Sequence, residues 1–161
     1  MADDYGYPQV GATAQAISKL LNNINTKFIL GSENLHGNIP ENEIAVILNN
    51  GHYFVGTTRN GKLMVWESLG LPLSASATRL GVSDIHQWGD ACYQYADKSD
   101  STTTCGLYAF VLAQYMHDNP AVNYISAVED AFSGIVYVAV PQANDMRSWY
   151  EHTHKYAIDL Q

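Results

Sequence analysis

The sequence predicts an α+β domain: a small mixed or antiparallel sheet packed around a central buried helix that starts at Cys105, flanked by further helices. Three observations predict it. Short apolar and β-branched runs cluster between residues 44 and 68, and such runs read as strands. The stretch from about Cys105 to His117 carries Leu107, Tyr108, Phe110, Val111, Leu112, Tyr115 and Met116, apolar on every side, as a helix enclosed by other elements would be. Amphipathic helical patterns lie before and after these elements, so helices and strands are partly segregated along the chain.

Residues 1–12 read as a loose arm bearing Tyr and Gly. From Thr13, a plausible N-cap, Ile17, Leu20, Leu21 and Ile24 follow the i, i+3, i+4, i+7 spacing of an amphipathic helix. Strands are expected over Ile44–Leu48, His52–Thr58 and Leu63–Ser68. The last two flank Arg59-Asn60-Gly61-Lys62, and Asn-Gly between two such runs is the strongest short-range signal for a type I′ hairpin. Residues 70–88 are mixed, with a short helix around Ala77–Leu80. A strand over Cys92–Ala96 and a polar loop over Asp97–Thr104 lead into the central helix. A helix over Ala121–Phe132, a strand over Ile135–Val140 and an amphipathic helix near Met146–Ala157 complete the order.

Composition narrows the function. The 161 residues are 47% hydrophobic and 15% charged, enough apolar material for one core, and no repeat or linker divides them. A single domain over 1–161 is expected. The formal charge of −8 leaves no basic field to condense on phosphates, so nucleic acid is a disfavoured partner. The longest stretch without Asp, Glu, Lys or Arg, Ser101–His117, contains three Thr, a Gln and a His, which does not suit a bilayer span. MADDYGYPQV has acids where a signal peptide has basic residues, and Ala2 excludes N-myristoylation. These features predict a protein that is neither secreted nor membrane-bound.

Two cysteines, Cys92 and Cys105, are too few for a disulfide framework and lack zinc spacing, so each is a buried apolar thiol or a reactive one. Cys105 sits at the first turn of the central helix, with Thr104 as N-cap. First-turn amides and the helix dipole favour thiolate over thiol. Cys92 lies beside Tyr93 and Tyr95 in the expected strand and reads as a small buried hydrophobe. A two-residue turn at Asn60-Gly61 pairs residues whose numbers sum to 121, placing His52 opposite Leu69 and Phe54 opposite Glu67. His52 and Glu67 are then diagonal neighbours on one face, within reach of a hydrogen bond. For the hairpin alone, an ordinary strand pair facing water is the favoured reading. With Cys105 added, the three residues have the chemistry of a nucleophile, a base and an orienting acid. The Cys105 backbone N–H is one oxyanion donor by position, and a side-chain amide would be the second: Gln94 leads, Gln87 is weaker and Gln114 lies deep in the helix. Gly106 suits close approach of a substrate backbone, or else tight helix packing.

The order His52, then Glu67-Ser68-Leu69-Gly70, then Tyr93-Gln94, then Thr104-Cys105-Gly106-Leu107-Tyr108 resembles the cysteine peptidases of adenovirus type (adenain) and their ubiquitin-like-specific relatives. By that resemblance His52 is the general base, Glu67 the orienting acid, Gln94 the oxyanion-hole amide and Cys105 the nucleophile. The family usually carries Trp directly after the histidine, where this chain has Tyr53. Ten residues, Tyr95–Thr104, separate Gln94 from Cys105, more than in many members. Adenovirus-type enzymes are basic and DNA-assisted, whereas this chain is acidic, so DNA is not expected as a cofactor.

The resemblance implies an endopeptidase that matures viral capsid or core precursors in the virion or in the host cytoplasm or nucleus. Tyr53 and Trp88 would wall a narrow groove that admits Gly or Ala beside the scissile bond. The alternative is a deconjugating protease for ubiquitin or a ubiquitin-like modifier. An acyltransferase would need a cationic pocket for an anionic cofactor, which eight basic residues disfavour. A catalytically silent binding module would leave the intact set unexplained. HExxH, CxxC, P-loop, GxSxG and dinucleotide fingerprints are missing, so no cofactor is expected. Glu151-His152-Thr153-His154 would turn its two histidines to different sides of a helix, which suits a solvated face better than a metal.

Overall fold

A computed structural model describes residues 14–22, 24–31, 35–89 and 105–132. In chain order these form α1 (Ala14–Asn22), β1 (Lys27–Leu30), α2 (Leu35–Asn38), β2 (Ile44–Asn49), β3 (His52–Arg59), β4 (Lys62–Trp66), α3 (Leu73–Leu80), β5 (His86–Gln87), α4 (Cys105–Asp118) and α5 (Tyr124–Phe132). The architecture is α+β. One five-stranded sheet runs in the order β1-β2-β3-β4-β5, with β1 parallel to β2, β2, β3 and β4 antiparallel, and β5 parallel to β4.

Two Asn-Gly turns fix the centre of this sheet. Asn60 and Gly61 have φ of 54° and 74°, the left-handed pair that a type I′ turn requires. The β3–β4 register follows from it: Val55 faces Trp66, Thr57 faces Met64 and Arg59 faces Lys62. The Glu41 carboxylate reinforces the turn by accepting the N–H groups of Asn60 and Gly61 at 2.6 and 2.8 Å. Asn50 and Gly51, with φ of 51° and 72°, make a second turn of the same kind, so Asn49 pairs with His52 and β2 with β3.

The pleat then sorts the side chains. Val46, Tyr53, Val55 and Trp66 join α1, α4 and α5 in one apolar cluster, while Ala45, Ile47, Phe54, Leu63 and Val65 join α2 and α3 in another. Both faces are covered, which explains why β3 is buried over its first six residues. Within α4, Tyr108, Val111 and Leu112 are fully buried, each contributing about 1.5–3 kcal/mol for its apolar surface.

Several boundaries differ from the expectation. β4 stops at Trp66 rather than Ser68, because the Glu67 carboxylate folds back onto the main chain that follows. The short helix expected around Ala77–Leu80 begins at Leu73, directly after Pro72, whose ring fixes φ but supplies no N–H. The helix expected from Ala121 begins at Tyr124, because the Asn123 side-chain oxygen accepts the Ile125 N–H at 2.8 Å and caps it there. Ile24 lies in the turn after α1, although it still packs on the core. β1, α2 and β5 were not expected. The arm over 1–12, the Thr13 and Thr104 caps, the Cys92–Ala96 strand, the Asp97–Thr104 loop, the Ile135–Val140 strand and the Met146–Ala157 helix lie outside the described residues. Among the described residues no helix is long and apolar enough to cross a membrane.

Candidate active site

Three chain segments meet at one end of the sheet. His52 is the first residue of β3, immediately after the Asn50-Gly51 turn. Glu67 is the first residue past β4, and Cys105 opens α4. His52, Glu67 and Cys105 are 2%, 3% and 4% exposed, so water screens their interactions little.

The turn that carries His52 is tied down from outside. Asn49 Nδ2 donates to the Leu80 and Arg79 carbonyls at 2.6 and 3.1 Å, and Asn50 Nδ2 donates to Arg79 at 2.7 Å. Two carboxamides thus satisfy carbonyls at the C-terminal end of α3, which have no partners within the helix. The same contacts hold the His52 backbone against that helix.

Glu67 accepts three hydrogen bonds. His52 Nε2–H donates to Oε2 at 2.9 Å, the Leu69 N–H donates to Oε2 at 2.7 Å, and the Leu71 N–H donates to Oε1 at 2.6 Å. A turn through Ser68, Leu69 and Gly70, with Gly70 at φ 70°, aims those amides at the carboxylate. Gln87 supports the arrangement from β5, its Nε2 donating to the Leu71 carbonyl at 2.6 Å. A carboxylate so held has no rotational freedom left, and it fixes both the tautomer and the ring plane of His52.

The electrostatics follow. Burial works against a charged His52, but hydrogen bonds to Cys105 and Glu67 and the negative charges of both outweigh it, raising the imidazole to about 9. Burial likewise works against a charged Glu67, and the His52 hydrogen bond with the Leu71 and Leu69 amides outweighs it, holding the carboxyl below its usual range. At neutral pH the pair is therefore imidazolium and carboxylate. Burial, and then the Cys105 charge, push the Tyr53 hydroxyl upward, so Tyr53 stays neutral.

Tyr53 lies flat against the start of α4. A Cβ on Gly106 would meet three Tyr53 ring carbons at 3.0–3.2 Å, so Gly106 is the residue that lets this ring seat beside the thiol. The close approach at Gly106 is thus made by Tyr53. Trp88, expected as a groove wall, is corrected to a core residue: it is 3% exposed and meets Tyr124 edge-on at 5.3 Å. Gln87, the weaker oxyanion candidate, is committed to the Leu71 carbonyl, and Gln114 is buried within α4. Gln94 and Cys92, with Glu151, His152 and His154, lie outside the described residues. Among the described residues no group of three or more His, Cys, Asp or Glu is arranged to hold a metal ion.

The sequence reading missed the Leu69 and Leu71 amides, Gln87 as a support, and Asn49 and Asn50 as anchors. Gly70 marks the amide turn after Glu67 only through its left-handed backbone, which composition does not reveal. Asn50-Gly51 carried the same turn signal as Asn60-Gly61.

No family model matches the chain, and no curated protein matches it.

Proposed function

We propose that this chain is a cysteine endopeptidase in which Cys105 is the nucleophile, His52 the general acid and base, and Glu67 the orienting acid. The observation that carries the reading is a buried His52 held between the Glu67 carboxylate and the Cys105 side chain and favoured in its charged form. Nε2 is occupied by Glu67, so Nδ1 is the nitrogen left for the sulfur.

In this mechanism Cys105 and His52 rest as a thiolate–imidazolium pair, and the thiolate attacks the carbonyl carbon of the scissile peptide bond. The carbonyl oxygen becomes the oxyanion, facing the Cys105 backbone N–H, and the family resemblance assigns the second donor to the Gln94 side-chain amide. The imidazolium protonates the departing amine nitrogen as the C–N bond breaks, leaving a thioester on Cys105. A water then gives a proton to His52 and adds to the thioester carbon. Collapse of that second adduct breaks the C–S bond, releases the acid and leaves the Cys105 thiolate beside the His52 imidazolium. Glu67 stays ionised throughout and stabilises each imidazolium.

The resemblance to adenovirus-type peptidases directs the substrate proposal to viral structural precursors, with the enzyme acting in the virion or in the host cytoplasm or nucleus. The test is to incubate the protein and its Cys105→Ala variant with candidate precursor polyproteins and map new N-termini by mass spectrometry. Cleavage by the wild type alone is expected. Cleavage by both, or by neither while a ubiquitin-like suicide probe labels Cys105, would overturn the endopeptidase reading, the second outcome in favour of a deconjugase.

A further inference from the structure

Lys27 opens β1, Arg59 closes β3 and His117 lies near the end of α4, and all three line one cavity of about 920 Å³. β3 and α4 carry His52 and Cys105 at their other ends. The cavity is therefore separated from the candidate active site by most of α4, roughly 17 Å along the helix at 1.5 Å per residue.

The cavity wall holds two cations, Lys27 and Arg59, in a chain whose formal charge is −8. Arg59 is held in place: its Nε–H donates to Thr57 Oγ1 at 3.0 Å, the Thr57 hydroxyl donates to the Glu43 carbonyl at 2.7 Å, and the guanidinium lies 5.1 Å from the Tyr124 ring centre. Lys27 Nζ donates to the Asn38 carbonyl. Neither cation meets a carboxylate within ion-pair distance among the described residues. The acid in the lining is Glu43. Asn22, Asn25 and Asn42 add carboxamides to the wall, and Asn25 and Asn42 are fixed by left-handed backbone at φ 53° and 65°. A guanidinium whose outer N–H groups have no hydrogen-bond partner among the described residues suits a planar or tetrahedral oxyanion, and carboxamides suit hydroxyl or amide groups beside it. A single inorganic ion would fill little of this volume, which lies in the range of small-molecule sites.

We propose that this cavity binds a small organic anion, its phosphate or carboxylate against Lys27 and Arg59 and its hydroxyl groups against the asparagines. The site is separate from the catalytic residues and does not depend on the peptidase reading.

The test is calorimetric titration of the full chain at low salt with glucose 6-phosphate, citrate and inorganic phosphate. Saturable one-to-one binding of glucose 6-phosphate or citrate is expected with Kd below about 1 mM, and the stronger of the two identifies the headgroup. Arg59→Gln and Lys27→Gln should each weaken it at least tenfold, and Arg79→Gln, outside the cavity, less than twofold. Arg59→Gln also loses the Tyr124 contact, so Asn42→Gly serves as the variant that keeps the left-handed backbone. It should weaken glucose 6-phosphate while leaving inorganic phosphate unchanged. Absence of saturable binding by all three probes would overturn the site. So would equal weakening by Arg79→Gln, which would mean diffuse charge attraction. Inorganic phosphate binding as tightly as glucose 6-phosphate would overturn the part assigned to the asparagines.

Discussion

Replacing Glu67 by Gln keeps the size of the side chain and removes its charge. The carboxylate faces three donors, His52 Nε2 at 2.9 Å and the Leu69 and Leu71 amides at 2.7 and 2.6 Å. A carboxamide has one oxygen, so at least one of those donors ends up facing an NH₂ group. Hydrogen bonds to charged groups contribute about 1.5–3 kcal/mol each, and the site is 3% exposed, so the expected destabilisation is about 2–3 kcal/mol. For a domain of this size that lowers Tm by roughly 4–12 °C. The chemistry moves separately. Cys105 and Glu67 both hold His52 near 9 against burial, so removing the Glu67 charge should lower the imidazole and weaken its charged form. The assay is a thermal melt by circular dichroism, with an NMR titration of the His52 ring protons in both proteins. An unchanged Tm together with a His52 titration within about 0.3 unit of wild type would refute the reasoning, because no buried charged acceptor could then be holding the ring.

The His52–Glu67 pair also sets a pH window for stability. His52 is raised from 6.5 to about 9, so its contribution is complete below pH 6.5 and is lost as pH rises toward 9. Glu67 is lowered from 4.5, so its contribution is complete above pH 4.5 and is lost as pH falls through its lower folded value. Urea denaturation across pH should therefore show His52→Gln removing much of the stability loss between pH 6.5 and 9; an equal loss in that variant would assign the slope elsewhere. Gly106→Ala gains about 1 kcal/mol of helix propensity and incurs about 1–3 kcal/mol of overpacking against the Tyr53 ring, so a net loss is expected that Tyr53→Leu restores. A stabilised Gly106→Ala protein would contradict the close packing at the helix start. Gln87→Leu removes the hydrogen bond to the Leu71 carbonyl and should cost about 1 kcal/mol while speeding hydrogen exchange at the Leu71 amide. Unaltered exchange there would mean that β5 does not support the Glu67 turn.

Where a short-range rule fixes geometry, the sequence was enough. Asn60-Gly61 permits one tight turn, that turn permits one register, and the register brings His52 and Glu67 to the same face. The all-round apolar pattern of 105–117 likewise belongs to a helix with neighbours on every side, as α4 has. Elements set by tertiary contact were hidden. Lys27–Leu30 is four residues long and becomes a strand by pairing with β2, and His86–Gln87 is two residues long and pairs with β4. Leu73–Ala77 carries Ser at two of five positions, a weak helix pattern that gains its shape from Pro72 before it and from Ser76 and Leu80 packing inward. Trp88 was ambiguous for a related reason: an aromatic beside a glycine suits a groove wall or a core, and only the surrounding Tyr124 decides it. At the candidate site the three side chains were legible by type and spacing. The main-chain amides that hold Glu67 were not, since any residue but proline supplies an N–H.

The most direct test of a Cys105–His52 couple is the pH dependence of Cys105 alkylation by iodoacetamide, read peptide by peptide in wild type and His52→Ala. An isolated thiol titrating near 8.5 slows by about 75-fold between pH 8 and pH 6. With the imidazole raised to about 9 beside the sulfur, Cys105 is expected to keep its rate within a few-fold over that interval, and His52→Ala is expected to restore the steep decline. A wild-type rate that falls like that of a free thiol, with no difference in His52→Ala, would contradict the couple and with it the proposed nucleophile.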